Sequence, residues 1–188
     1  MDNNLEVFAK RFKELRLYYG LSLNDLAIML NGADRTVVSR WERVLNWPNM
    51  KTLIKISNIF AVSMDWLVGN SDFKYSDKKI NELEAEFDDT FLVSKIAFPE
   101  DYKNVESRKE KYSLKQRAEV HTLFYLLKFN WELFLKEEHK VLDEDESVEK
   151  VLLDRCWRKF SIQDRINKYI ERIEDVFIGK KGFDEEDL

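Results

Sequence analysis

The spacing of apolar residues in the first third of the chain predicts a series of short helices. Leu5, Phe8, Phe12, Leu15 and Tyr19 recur every three or four residues, which is the period of one face of an α-helix. The pattern predicts a first helix over residues 5–19 and four further short helices over residues 23–30, 35–43, 50–60 and 64–68.

Residues that favour helix ends separate these segments. Gly20 suits the left-handed conformation that often closes a helix. Ser22 followed by Asp25 is close to the pattern of an N-terminal capping box. Asp34 and Ser63 are placed to cap the third and fifth helices, because their side-chain oxygens can accept hydrogen bonds from the first turn.

Longer helices are predicted beyond the turn-rich segment Gly69–Asp72. Their predicted ranges are 77–97, 114–140, 147–159 and 162–178. Ser161 is the predicted cap of the last helix. The charged stretch 101–112 is compatible with a short helix or with a connection. Between Leu123 and Leu135 the chain is apolar nearly all round, which is typical of a buried core helix or of an interface helix.

Composition supports a helical, non-membrane chain. Only 5 Gly and 2 Pro occur in 188 residues, whereas hydrophobic residues make up 44%. The single Cys156 excludes an internal disulfide and fits a reducing compartment. The N-terminus lacks a signal-peptide pattern, and the densest apolar run, Leu123–Leu127, is too short to span a bilayer. We therefore expect a cytoplasmic protein without a membrane partner.

Charge divides the chain into two parts. The net charge is −5, but residues 1–72 carry +1 and residues 73–188 carry −6. The asymmetry suggests that the two parts have different roles. A nucleic-acid site in the first part would depend on a few well-placed basic side chains, because its overall field is weak.

Residues 11–69 resemble the Cro/CI-type helix-turn-helix domains (XRE family) of bacterial and phage repressors. The matching blocks are Leu21-Ser22, Ala27, Ser39-Arg40-Trp41-Glu42, Thr52–Ile56 and Val62–Leu67. The resemblance and the helical pattern together predict an all-α protein. A five-helix, lambda-repressor-like helix-turn-helix domain would span 1–70, a helical dimerisation or effector- or partner-binding domain 71–182, and a loose acidic tail 183–188.

The predicted third helix carries the candidate base-reading side chains Arg35, Thr36, Ser39 and Arg40 on its polar side. Arginine can donate two hydrogen bonds to guanine, and a threonine methyl can contact the methyl group of thymine. The resemblance places Arg35, Thr36 and Arg40 at the main base-contacting positions of the family. It therefore implies double-stranded DNA, an operator, as a partner.

Other positions receive structural or phosphate-binding roles. The resemblance implies that Glu42 forms an ion pair with Arg16, which would fix the third helix to the first. Leu23 stands where the family usually has a phosphate-contacting Gln, so we expect Asn24 to take that role. The full set of predicted phosphate contacts is Asn24, Arg43, Asn46, Asn49 and Lys51.

Three further features leave details open. The turn at Asn31-Gly32 is one residue longer than in the family, so the exact base contacts are not fixed. Val44 occupies a position where the family often has Gly. Trp47, in the loop after the third helix, would pack against the fourth helix or lie on the DNA backbone.

The resulting hypothesis is a homodimeric repressor of a pseudo-palindromic operator. The alternatives are an antitoxin-like protein that neutralises a partner and regulates its own gene, or a regulator that responds to a peptide or protein effector. No enzymatic activity, cofactor or metal is expected, since His121, His139 and Cys156 lack metal-ligand spacing.

Overall fold

The computed structural model describes residues 3–30, 33–85, 105–138 and 148–178 of the chain. Within these ranges the regular structure is entirely helical, which confirms the predicted all-α class. The helices are α1 (Asn3–Tyr18), α2 (Leu23–Met29), α3 (Arg35–Glu42), α4 (Met50–Ile59), α5 (Met64–Leu67), α6 (Asp77–Ala85), α7 (Val105–Lys111), α8 (Leu114–Glu138) and α9 (Val148–Ile178). None of the helices in this described part is long and apolar enough to cross a membrane.

The corner between α1 and α2 forms as the sequence predicts. Gly20 has φ +66°, and the Leu21 N–H donates to the Arg16 carbonyl at 2.9 Å, which closes α1 in a Schellman-type turn. Ser22 and Asp25 form a complete capping box at the start of α2. The predicted caps Asp34 and Ser63 also occupy the N-cap positions of α3 and α5.

The core of the first helices is aromatic. Phe8 and Phe12 of α1 are fully buried and stacked, with their ring centroids 5.5 Å apart. Phe60, at the end of α4, stacks on Tyr19 at 5.7 Å. Leu67 of α5 is also fully buried. Because α5 also packs against α1 and α4, these three helices form a platform, and α3 packs on α1.

The described residues form two compact units, and the first extends past the predicted boundary at residue 70. It contains residues 3–85 and 105–122, so it includes α6, α7 and the first turns of α8. Ile80 and Leu83 of α6 pack with Ala61 and with Ala118 of α8 in one buried cluster. The assignment of DNA binding to residues 1–70, and of dimerisation or effector or partner binding to residues 71–182, remains a prediction.

The second unit comprises residues 123–138 of α8 together with α9. The Lys159 ammonium lies 5.0 Å from the ring centroid of Phe134, and Arg158 forms an ion pair with Glu137 at 3.3 Å. One face of α9 is buried along the predicted apolar positions Ile162, Ile166, Tyr169, Ile173 and Val176.

Ser161 is not a helix cap, contrary to the sequence prediction. Residues 148–178 form one continuous helix, and Ser161 is exposed in its interior. No Gly or Pro interrupts this range. An internal serine destabilises a helix by only about 0.5 kcal/mol, which is too little to end it at Ser161. The predicted turn at Asn31-Gly32, the second half of the predicted helix 77–97 and the predicted tail 183–188 lie outside the described residues.

Candidate nucleic-acid interface

Helix α3 is held on the platform by its apolar side. Val38 is fully buried, and the ring of Trp41 meets the ring of Phe12 edge-on, with centroids 6.2 Å apart. Helix α2 precedes α3 and packs against it. This pair of short helices, joined by residues 30–34, has the arrangement of a helix-turn-helix, in which the second helix enters the major groove of DNA.

The four predicted base-reading residues lie together on the outward side of α3. At 100° per residue, Arg35, Ser39, Thr36 and Arg40 fall within an arc of about 140°. Arg35, Thr36 and Arg40 are exposed, and Ser39 is half-buried. The two arginines are therefore more than one turn apart on a single face, where each can reach a different base pair.

Asp34 fixes the N-terminal end of this face. Its carboxylate accepts a hydrogen bond from the Thr36 N–H at 2.6 Å. Hydrogen bonds from the Thr36 side chain and backbone lower the pKa of Asp34 below its ordinary value, so the cap stays ionised at neutral pH. Because the Thr36 hydroxyl serves the cap, its methyl group is the part that remains for contact with a base.

The predicted phosphate contacts all lie on the surface, in α2, at the end of α3 and around the start of α4: Asn24, Arg43, Asn46, Asn49 and Lys51. Asn49 also has a structural role, because its side-chain oxygen accepts the Thr52 N–H at 2.9 Å and caps α4. Trp47 packs on Phe8 of α1, with centroids 5.4 Å apart. Its contact with the fourth helix therefore stays a prediction, while the ring of Trp47 is placed against α1.

Lys55 is a candidate phosphate contact that sequence reasoning missed. It is one turn beyond Lys51 on α4. Partial burial, followed by the charge of Lys51, lowers the pKa of Lys55. A DNA phosphate beside the pair would relieve this repulsion. The i, i+4 spacing from Lys51 was the sequence signal that could have identified it.

Arg16 and Glu42 form a two-point ion pair between α1 and α3. The Arg16 Nε lies 2.6 Å from the Glu42 Oε1, and the Arg16 Nη2 lies 3.0 Å from the Oε2. A third donor, Nη1, reaches the Leu21 carbonyl at 3.0 Å. The side chains are only 13% and 8% exposed. The pair therefore links the end of α3 to both α1 and the α1–α2 corner.

Replacing Glu42 should destabilise the first unit. Glu42→Ala leaves the mostly buried Arg16 charge without its carboxylate, so we expect the free energy of unfolding to fall by about 3 kcal/mol. Urea unfolding followed by circular dichroism measures this. The matched change Glu82→Ala removes an exposed carboxylate of α6 in the same unit and should cost less than about 0.5 kcal/mol. Equal losses in the two variants would exclude a structural role for the Arg16–Glu42 pair.

Val44 adopts a conformation that its side chain disfavours. Its φ is +60°, in the left-handed region where a β-branched residue is strained. The backbone explains why: the Val44 N–H donates to the Trp41 carbonyl at 3.2 Å, and the Leu45 N–H donates to the Arg40 carbonyl at 3.0 Å. This turn closes α3, and glycine is the residue that suits its left-handed position.

Val44→Gly should therefore stabilise the protein. We expect the free energy of unfolding to rise by about 1 kcal/mol, because relief of the left-handed strain exceeds the added chain entropy of glycine. The same urea titration measures it. Val44→Ala, which shortens the side chain but keeps the strain, serves as the control and should not stabilise. If the glycine variant were less stable than the alanine variant, the conclusion that the backbone at Val44 is strained would be wrong.

The fold and this surface together define a helix-turn-helix DNA-binding protein. A family model described as helix-turn-helix matches residues 12–67. The HTH-type transcriptional regulator ImmR of Bacillus subtilis (strain 168) is 34% identical over 91 residues, which cover 44% of this chain and 71% of the relative. No solved structure matches the chain. The chain belongs to the XRE family of helix-turn-helix transcriptional regulators.

Proposed function

We propose that the protein is a homodimeric, cytoplasmic repressor that binds a pseudo-palindromic operator and blocks access to a promoter. The observation that carries the proposal is the outward face of α3, where Arg35, Thr36 and Arg40 are exposed on one side of a helix whose other side is buried. Arg35 and Arg40 contact base edges in the major groove, and the thymine methyl group is the target of Thr36.

Dimerisation follows from the small number of contacts that one unit can make. Residues 1–72 carry a net charge of +1, so non-specific attraction to phosphates contributes little. Two copies that read half-sites about 34–36 Å apart double the specific contacts. Phosphate contacts from Arg43, Lys51 and Lys55 fix the position of each copy on its half-site.

The proposal is tested at the DNA upstream of the protein's own gene. Footprinting with the full-length protein should show two protected half-sites about one helical turn apart, and a reporter driven by that DNA should lose expression when the protein is present. Unchanged or increased reporter expression alongside a clear footprint would contradict repression while leaving DNA binding intact. A single protected half-site occupied by a monomer would contradict the dimer.

A regulator that responds to a protein partner is a second candidate, because the second unit exposes aromatic surface. Trp157 and Phe160 of α9 are 69% and 68% exposed and form an edge-on pair with centroids 6.3 Å apart. Two exposed aromatic rings in contact make this part of α9 a candidate interaction site. Sedimentation of Trp157→Ala shows whether the two rings serve dimerisation or the binding of another protein. Loss of the dimer assigns them to dimerisation, whereas an unchanged dimer favours a protein partner.

A further inference from the structure

A pocket of about 370 Å³ lies in the first unit, on the side of α1 that faces away from α3. Val7 belongs to the lining, and nine residues, or two and a half turns, separate it from Arg16. The two side chains therefore point to opposite sides of α1. Because Arg16 contacts Glu42 of α3, the pocket is not part of the predicted DNA surface.

Two cations are fixed around the indole of Trp66 at this pocket. The Arg11 guanidinium lies 4.6 Å from the ring centroid, and the Lys74 ammonium lies 5.2 Å from it. Arg11 donates hydrogen bonds to the carbonyls of Trp66 and Ser71. The Lys74 carbonyl accepts the Ser63 N–H at 2.7 Å, which anchors the backbone of Lys74. The Arg11 guanidinium is thus fixed by hydrogen bonds, and the Lys74 ammonium rests on the Trp66 ring from an anchored backbone.

The lining carries an excess of positive charge. Among the lining residues, Lys10, Arg11 and Lys74 supply three cations and Glu14 supplies one carboxylate, and the exposed Asp72 lies 3.9 Å from Arg11. Burial, the largest effect, lowers the pKa of Lys74 to about 8, in spite of the carboxylates of Glu119 and Glu14. A half-buried ammonium of this kind is stabilised when an anion binds next to it.

We infer that this pocket binds a small anionic ligand, with a carboxylate or phosphate group attached to an apolar or aromatic body. The anion is recognised by the Lys74 ammonium with support from Lys10, while Val7, Leu15 and Trp66 supply apolar surface for the body. The volume is in the range of pockets for small molecules, about 300–1,000 Å³. The inference goes beyond DNA binding and does not depend on it.

Calorimetric titration of the full-length protein, without DNA, tests the inference with three probes of similar size. Phenylacetate and phenyl phosphate carry the two anionic groups, and benzyl alcohol is the neutral control. We expect at least one anion to bind at pH 7 and to shift the NMR signal of the Trp66 indole N–H. The anion that binds more tightly shows whether the pocket prefers a carboxylate or a phosphate group. If neither anion binds at millimolar concentration, or if the alcohol binds as well as both, the inference is wrong.

Substitutions of Lys74 locate the binding. Lys74→Gln should weaken anion binding about tenfold, since one charge-assisted hydrogen bond is lost. Lys74→Arg should retain it, and the exposed Lys78→Gln is the matched control. Circular dichroism verifies that each variant is folded. Binding to Lys74→Gln that equals binding to the parent protein would overturn the assignment.

The pH dependence gives an independent test. Phenylacetate stays ionised between pH 7 and 9, whereas the Lys74 ammonium loses its proton above a pKa of about 8. Affinity should therefore fall about tenfold from pH 7 to pH 9 in the parent protein and stay constant in Lys74→Arg. The charged groups that act on Lys74 are Glu119, Lys115 and Glu14. The same pH dependence in both proteins would exclude Lys74 as the anion-binding group.

Discussion

Arg35→Ala and Arg40→Ala should each weaken specific operator binding by about 1–3 kcal/mol, or about 5- to 150-fold. Both side chains are exposed on the outward face of α3, where each can donate two hydrogen bonds to a guanine. Gel-shift titration at one fixed salt concentration measures the loss. Base preference should also relax at one position of each half-site, and the position should differ between the two variants.

Two comparisons make this result specific to base reading. Lys78→Ala removes an exposed cation from α6 and should leave operator affinity unchanged. Lys51→Ala, at a predicted phosphate contact, should weaken binding to all sequences equally and reduce the salt dependence by about one counterion. If both arginine variants behaved like Lys51→Ala, with base preference intact, α3 would position the protein without reading bases through these residues.

Arg117→Ala should cost the first unit about 3–5 kcal/mol of stability. Arg117, at the start of α8, is 3% exposed, and its Nη2 lies 2.6 Å from the Glu84 Oε2 on α6. The same nitrogen reaches the Asn81 side chain at 2.7 Å. Truncation leaves the mostly buried Glu84 carboxylate without this contact. Such a loss is a large share of the roughly 5–15 kcal/mol that stabilises a typical domain.

Urea unfolding measures this effect, and Lys109→Ala on the exposed surface of α7 is the control, with an expected change below about 0.5 kcal/mol. DNA binding by Arg117→Ala should fall in proportion to its unfolded fraction. A variant that lost less than about 1 kcal/mol would show that α6 and α8 add little to the helix-turn-helix platform.

The sequence predicted local features of the fold well, because they depend on neighbouring residues. The Ser22–Asp25 capping box and the left-handed Gly20 follow from three or four consecutive positions. The outward face of α3 follows from helical periodicity once its ends are known. The continuous α9 was missed for the opposite reason: a serine is compatible with a cap and with a helix interior, and local pattern alone does not decide between them.

Features that depend on distant residues were not predicted from the residues alone. Arg117 and Glu84 are separated by 33 positions, and Tyr18 contacts Glu119 across 101 positions, at 3.1 Å. Nothing in the spacing of these residues identifies their partners. The first compact unit therefore extends beyond the boundary at residue 70. The pocket around Trp66, Arg11 and Lys74 escaped prediction for the same reason.

Selection of bound DNA from a random pool tests the central claim, that the face of α3 reads DNA sequence, most directly. The parent protein should enrich two related half-sites in inverted orientation, with centres about one helical turn apart. Selection with the double variant Arg35→Ala, Arg40→Ala should lose the enriched bases at the contacted positions. No enrichment by the folded parent protein, or the same enriched sequence from the folded double variant, would contradict the claim.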